Sequence, residues 1–325
     1  MHECWHVRCG NERMAIVPLC FKYFFEMDDD AFWDIQLTGH SFSQCKDGIA
    51  SMERSDVSAR RGSNDSDEIL SYEWKTMTLS LDTSNVTLDI RTACQASIMD
   101  RHVGEEVWDA AIIFCAYLCM TKDRDVPASG FRLKGKRVLE LGSGVGLLGL
   151  TAALFADSTL LTDYDPDVLA NLAFNATHNK TRIHQYNNQG ELQVSRLNWT
   201  CFLGNDLMNA DWIDDTSIPN GCKMDNSADV DILIGSALVY SIQGAYACAD
   251  TIVDFLIKRK GREAWVLQLV SRPGFDRFLR RLEQRGLTYT RFEIGEQEYH
   301  LATSSIQALK TPRDQFGLFV ISPVE

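Results

Sequence analysis

From about residue 107 onward, apolar and polar positions follow two alternating rhythms, and each change of rhythm marks an element. Short apolar runs at 137–141, 159–162, 192–197, 230–235, 264–270, 288–294 and 316–321 predict strands buried on both faces. Between them, apolar residues at helical spacing predict helices over 107–120, from the turn after 141 to about 156, and over 167–178, 246–259 and 275–284. Repeated strand–helix units imply a doubly wound parallel sheet covered on both sides. The last two strands show no helical stretch between them, which predicts an antiparallel hairpin at one sheet edge.

Upstream, 75–81 and 86–91 alternate as two strands joined by a turn at 82–85, an N-terminal β extension. Residues 43–68 are polar, rich in Ser and Asp and without period, and predict a disordered linker or insertion. The apolar run at 14–25 is interrupted by Lys22 and is too short to cross a membrane. No secretory signal is expected either. The expected division is an N-terminal extension at 1–70, a β-hairpin appendage at 71–100 and a main α/β domain at 101–325.

Composition narrows the function classes. The chain has 325 residues, 45% of them hydrophobic, enough to bury one substantial core. Its formal net charge is −13, with 45 acidic against 32 basic residues. That balance excludes broad contact with nucleic-acid phosphates and suits a basic partner such as a Lys-rich protein segment. The ten cysteines have no disulfide framework spacing. Cys4, His6 and Cys9 lack a second ligand pair, so no metal is expected. Reduced cysteines and the lack of an export signal predict a cytoplasmic or nuclear protein.

Candidate chemistry centres on 138–150, VLELGSGVGLLGL, with glycines at 142, 144, 146 and 149. Glycine serves where backbone must turn tightly and approach a ligand closely. Gly144–Gly149 also fits the GxGxxG pattern of nicotinamide binders, a weak signal alone. Glu140, just before the first glycine, argues for a cationic ligand, since an acid there would repel a pyrophosphate. Asp163 ends the next strand, where a carboxylate can accept hydrogen bonds from ribose hydroxyls. Asp165 before Pro166 is the better helix cap.

These residues resemble the seven-strand S-adenosylmethionine-dependent methyltransferases, and more narrowly the protein-lysine methyltransferase branch called methyltransferase family 16. The resemblance runs over about 75–321. It rests on Gly104-Glu105-Glu106-Val107-Trp108-Asp109-Ala110-Ala111, the glycine loop, Asp163, Leu197-Asn198-Trp199, and 231–240 (DILIGSALVY). It implies a three-layer, Rossmann-like methyltransferase fold with a seven-stranded sheet. It further implies S-adenosyl-L-methionine held by Trp108, Glu140, Gly142, Gly144, Gly146, Asp163 and Trp199. The implied acceptor is a lysine of a protein substrate, oriented by Tyr240, and the implied state is a monomer. One departure stands out: the branch's Asp-x-x-Tyr motif reads Ala237-Leu238-Val239-Tyr240 here. Asp229 and Asp231 lie at the wrong end of their strand to replace the acid. The alternatives are a degenerate member that binds cofactor or a partner without transferring methyl, a nicotinamide-dependent oxidoreductase, and a transferase with a small-molecule acceptor.

Overall fold

The computed structural model describes residues 6–9, 12–15, 72–81, 84–93, 103–121, 132–188, 190–204, 206–207, 230–258, 261–305, 309 and 311–324. The chain divides into two compact units, residues 1–55 and 56–325. In the first, β1 (His6–Cys9) and β2 (Glu12–Ala15) pair antiparallel, a hairpin the sequence pattern did not predict. The linker expected at 43–68, most of the apolar run at 14–25, and Cys4 lie outside the described residues.

The second unit opens with β3 (Tyr72–Leu81) and β4 (Ser84–Ala93), a 3-10 turn at Val103–Glu105, and α1 (Asp109–Thr121). Strands and helices then alternate: β5 (Arg137–Glu140), α2 (Leu147–Ala152), β6 (Ser158–Asp163), α3 (Pro166–Tyr186) and β7 (Glu191–Arg196). After a 3-10 turn at Trp199–Phe202 come β8 (Ile232–Ser236), α4 (Ile242–Ile257), β9 (Glu263–Leu269) and α5 (Phe275–Gln284). The unit closes with β10 (Leu287–Phe292), α6 (Glu296–Ser305), and β11 (Phe316–Pro323).

Seven strands form one sheet in the order β10-β11-β9-β8-β5-β6-β7. The pairs β9–β8, β8–β5, β5–β6 and β6–β7 are parallel, and β11 runs antiparallel to both of its neighbours. The order reverses at β5, whose neighbours are β6 and β8. A crevice for a ligand opens at such a switch point, at the carboxyl ends of the strands. Val138, Leu139, Ile232, Leu233 and Ile234 are all buried, so β5 and β8 read as unbroken apolar runs. Among the described residues, no helix is long and apolar enough to cross a membrane.

Three elements differ from expectation for physical reasons. The hairpin β3–β4 is docked in the unit's core: alternate residues Met77, Leu79, Leu81, Val86, Leu88 and Ile90 are buried together with α1 and α2. Each such side chain contributes about 1.5–3 kcal/mol when fully buried. Helix α3 continues to Tyr186, beyond the expected end at 178, because its inner face carries asparagines. Asn171, Asn175 and Asn179 are buried and bind β4 through their side-chain amides. Asn179 exchanges both bonds with the backbone of Asp89 (3.0 and 2.8 Å), and Asn175 does the same with Arg91 (2.9 and 3.0 Å). Asn175 also donates to the carbonyl of Val145 at 3.0 Å, tying the hairpin to the glycine loop. Finally, the antiparallel pair at the sheet edge is present, but α6 lies between its strands. Ala302 and Glu298 are its buried residues, so it carries no stripe of large apolar side chains to reveal it.

Candidate functional site

The glycine loop joins β5 to α2 through Gly142 (φ 57°), Gly144 (φ 52°) and Gly146 (φ 89°). All three adopt the left-handed region, which L side chains disfavour. Space also excludes a side chain at Gly144 and crowds one at the other two. A Cβ on Gly142 would stand 3.1 Å from Cζ2 of Trp199 and 3.3 Å from Cδ2 of Leu238. One on Gly144 would stand 2.6 Å from the carbonyl oxygen of Gly104. The fold therefore brings the Gly104 segment, the loop and Trp199 together.

Hydrogen bonds stitch the loop to β6. Ser143 N–H donates to the Thr162 carbonyl (2.8 Å), and Thr162 N–H donates to Ser143 Oγ (2.9 Å). Thr162 Oγ1 donates to the Glu140 carbonyl at 2.6 Å. Asp163 Oδ2 accepts from the N–H of Gly144 (3.0 Å), and its Oδ1 accepts from that of Tyr164 (2.8 Å). Burial raises the Asp163 carboxyl above its ordinary value, and these backbone N–H groups oppose the shift. Oδ1 also accepts from Asp165 N–H (3.4 Å), while Oδ2 keeps a second lone-pair position for a hydroxyl donor.

Glu140 behaves differently from the sequence argument. It is 2% exposed, and its carboxyl lies under the loop against Ser143 and Gly149. Burial pushes its pKa up to about 8, with Asp163 adding to the rise and the hydrogen bonds from Ser143 and the Gly149 N–H opposing it. Oε2 has no hydrogen-bond partner of good geometry among the described residues. At neutral pH the group is thus largely protonated and supports the loop from beneath. Burial thereby weakens the negative charge on which the attraction of a cationic ligand to Glu140 relies.

Trp199 opens its 3-10 turn behind Asn198, whose side chain accepts from Thr200 N–H (3.1 Å) and Thr200 Oγ1 (2.9 Å). Trp108 precedes α1 instead of lying within it. Its carbonyl accepts from Ala111 N–H at 2.9 Å, and its indole Nε1 donates to the Val103 carbonyl at 2.9 Å. Tyr240 and Tyr164 are 45% and 55% exposed. Packing around the Tyr240 phenol pushes its pKa up to about 12, with Tyr164 and Asp163 adding to the effect. Tyr240, Tyr164 and Asp163 therefore stand close enough to interact electrostatically.

Ala237 has φ 52°, the one positive value at a non-glycine position among the described residues. Alanine there costs about 1–2 kcal/mol, and Asn or Asp tolerates the region better. The turn is clamped from β9: Ala237 N–H donates to the Leu267 carbonyl at 3.0 Å. The buried amide of Gln268 bonds both N–H and carbonyl of Val239, at 3.1 and 2.8 Å. Asp231 is engaged elsewhere, paired with Arg137 at 3.1 Å at the start of β8. Sequence reasoning missed the Gly104 carbonyl, Leu238, Tyr164 and Arg272. Gly104 and Leu238 had a signal, each through its place in a recognised motif.

A sheet with β11 antiparallel between β10 and β9, and a glycine loop leading from β5 to an acid at the end of β6, is the seven-stranded Rossmann-like S-adenosylmethionine methyltransferase fold. Within that class the chain is related to a lysine-methyltransferase branch: the family model described as lysine methyltransferase matches residues 85–216. Protein N-lysine methyltransferase METTL21A of Danio rerio is 40% identical over 97 residues, which cover 30% of this chain and 38% of that protein. The protein of the same name from Xenopus tropicalis is 34% identical over 99 residues, 30% of this chain and 39% of its own. EEF1A lysine methyltransferase 3 of Xenopus tropicalis is 32% identical over 97 residues, covering 30% and 37%. The chain thus spans less than half the length of these relatives. The family match runs from β4 through the Trp199 turn and ends before β8, so Ala237, Tyr240 and Arg272 lie beyond it.

Proposed function

We propose that the chain is an S-adenosylmethionine-dependent methyltransferase acting on a lysine of a protein. The observation that carries the reading is the loop itself. Its backbone is held in left-handed turns beside Asp163, Trp199 and the Gly104 carbonyl, in space that a Cβ would fill. This cradle fits the cofactor. Gly142 and Trp199 would face its adenine side, Asp163 its ribose, and Gly144, Gly146 and Trp108 its amino-acid end, with Glu140 supporting the loop from below. When bound, the cofactor supplies a methyl group carried on a sulfonium.

The remaining residues position the acceptor. A lysine must shed its proton, since its free pKa is about 10.4, and an aromatic surround of Trp108 and Tyr240 disfavours the charged form. With its pKa near 12, Tyr240 keeps its proton at neutral pH and serves as a neutral hydrogen-bonding group that orients the amine. Ala237 supplies no carboxylate to draw in the cationic side chain. The net charge of −13 suits a basic partner, and the relatives are named for protein lysine. Cys115, Cys119, Cys201 and Cys248 are free thiols, consistent with cytoplasm or nucleus. A monomer is the proposed state.

The test is incubation with methyl-labelled S-adenosylmethionine and a lysate of the source organism, with Asp163→Ala as control. A labelled protein carrying methyl-lysine in mass spectra, absent with the control, supports the reading. Cofactor binding by calorimetry without any labelled protein would overturn transfer. Ala237 favours that second reading, a binder that no longer transfers methyl. In that event, activity regained in Ala237→Asp would support it.

A further inference from the structure

The turn after β9 carries a cation that no acid among the described residues balances. Arg272 N–H donates to the Leu269 carbonyl at 3.2 Å, closing the turn. Gly274, two residues along, approaches so closely that a Cβ would stand 2.7 Å from the carbonyl oxygen of Ser241, the residue after Tyr240. The turn is thereby fixed against the acceptor side of the site. The half-buried guanidinium of Arg272 lies over the indole of Trp108, its central carbon 5.4 Å from the ring centre.

Other arginines withdrawn from water in this unit have partners. Arg281 is paired with Asp206 and Asp250, Arg137 with Asp231, and Arg91 bonds Asn171 and feels the charge of Glu105. For Arg272, burial lowers the pKa, and no carboxylate among the described residues offsets it. Taking a cation partly out of water is unfavourable without hydrogen bonds and a counter-charge. A cation–π contact contributes only about 0.5–1 kcal/mol at exposed sites and itself engages none of the five guanidinium N–H donors. That planar fork suits a carboxylate, which it can hold through two parallel bonds.

We propose that Arg272, laid on Trp108 at the C-terminal edge of β9, is the receptor for a carboxylate of a bound molecule. Two sources share this chemistry: the amino-acid carboxylate of the cofactor, and an acidic side chain beside the acceptor lysine. The naming of these sources rests on the methyltransferase reading; the unbalanced cation does not. A purely structural Arg272 would instead use its aliphatic stem to cover Trp108.

The test uses the full chain and Arg272→Gln, with Arg272→Met preserving an apolar cover for Trp108 and thermal melting confirming the fold. Calorimetry compares S-adenosylhomocysteine with 5′-methylthioadenosine, which lacks the amino-acid end. A second titration compares lysine peptides flanked by Glu or by Gln. If the cofactor supplies the carboxylate, both variants lose about tenfold or more in affinity for S-adenosylhomocysteine and none for 5′-methylthioadenosine. If the acceptor supplies it, S-adenosylhomocysteine binds unchanged. The parent then prefers the Glu-flanked peptide by about tenfold, and both variants lose that preference. Unaltered S-adenosylhomocysteine affinity together with no peptide preference lost, including none in the parent, overturns the proposal. An effect of Arg272→Gln that Arg272→Met does not share assigns the residue to packing and overturns it equally. A parent that binds no S-adenosylhomocysteine at all refutes the methyltransferase reading, and the peptide arm still decides Arg272.

Discussion

Around β5 and β6, the site is made of backbone. Three glycines hold left-handed turns, the loop exchanges hydrogen bonds with Thr162 and Asp163, Asn175 grips Val145, and Glu140 fills the space below. Around β8 and β9 it is made of side chains on a clamped turn: Tyr240 half exposed, Ala237 strained, and Arg272 lying on Trp108 with no acid beside it among the described residues. The first half can accept only what its main chain already outlines. The second can change its preference by exchanging a few side chains without disturbing the fold. The family match covers the first half and stops before the second.

The sharpest way to break the comparison is Gly144→Ala. At φ 52° and 2.6 Å from the Gly104 carbonyl oxygen, a methyl group there forces the loop to move. Affinity for S-adenosylhomocysteine should fall by roughly 100-fold or more, about 3 kcal/mol. Retained affinity, within threefold by calorimetry, would show that the first half is not determined by its backbone. Asn175→Ala should follow, with about 2–3 kcal/mol lost in denaturant unfolding, because buried partners on Arg91 and Val145 lose their bonds. If the tie matters to the site, cofactor affinity falls with it.

Glu140→Gln gives a smaller effect that depends on pH. The folded carboxyl titrates at about 8 against an ordinary 4.5, so the folded chain keeps a proton that the unfolded chain has released. Its contribution is fully present below about pH 4.5 and is lost as pH rises through 8. Relative to the parent, the glutamine variant should gain stability progressively between pH 5 and 8 in paired urea melts. Parallel pH profiles would place a charged Glu140 at the site after all. Smallest of all, Ala237→Gly should raise stability by about 0.5–1 kcal/mol, relief of the left-handed strain being partly offset by glycine's entropy. A loss in thermal melting would mean that the Ala237 methyl packs usefully and that this half is less adaptable than argued.

The central strands β5 and β8 were legible because buried parallel strands leave unbroken apolar runs, the half-exposed edge strands β7 and β10 only from shorter stretches, and the glycine loop because its spacing has a physical reason. The far end of α3 was hidden by inward-facing asparagines, and α6 by an inner face made of Ala302 and Glu298, since both defeat a reading based on hydrophobic period. At the site, residue identities carried further than residue roles. Asp163, Trp199 and the glycines do converge, whereas Glu140 changed meaning once its burial was known. Arg272 had no signal at all, because its interest comes from what surrounds it in space: an indole face and, among the described residues, no carboxylate.

The asparagine contacts of α3 also bear on how the molecule behaves in a crowded solution. A two-stranded ribbon ordinarily leaves rows of open N–H and C=O groups, a template on which other chains can add as further strands. Here the amides of Asn175 and Asn179 present one donor and one acceptor each to Arg91 and Asp89, as a neighbouring strand would. The helix thereby closes that edge against edge-to-edge aggregation, although asparagine is a poor helix former.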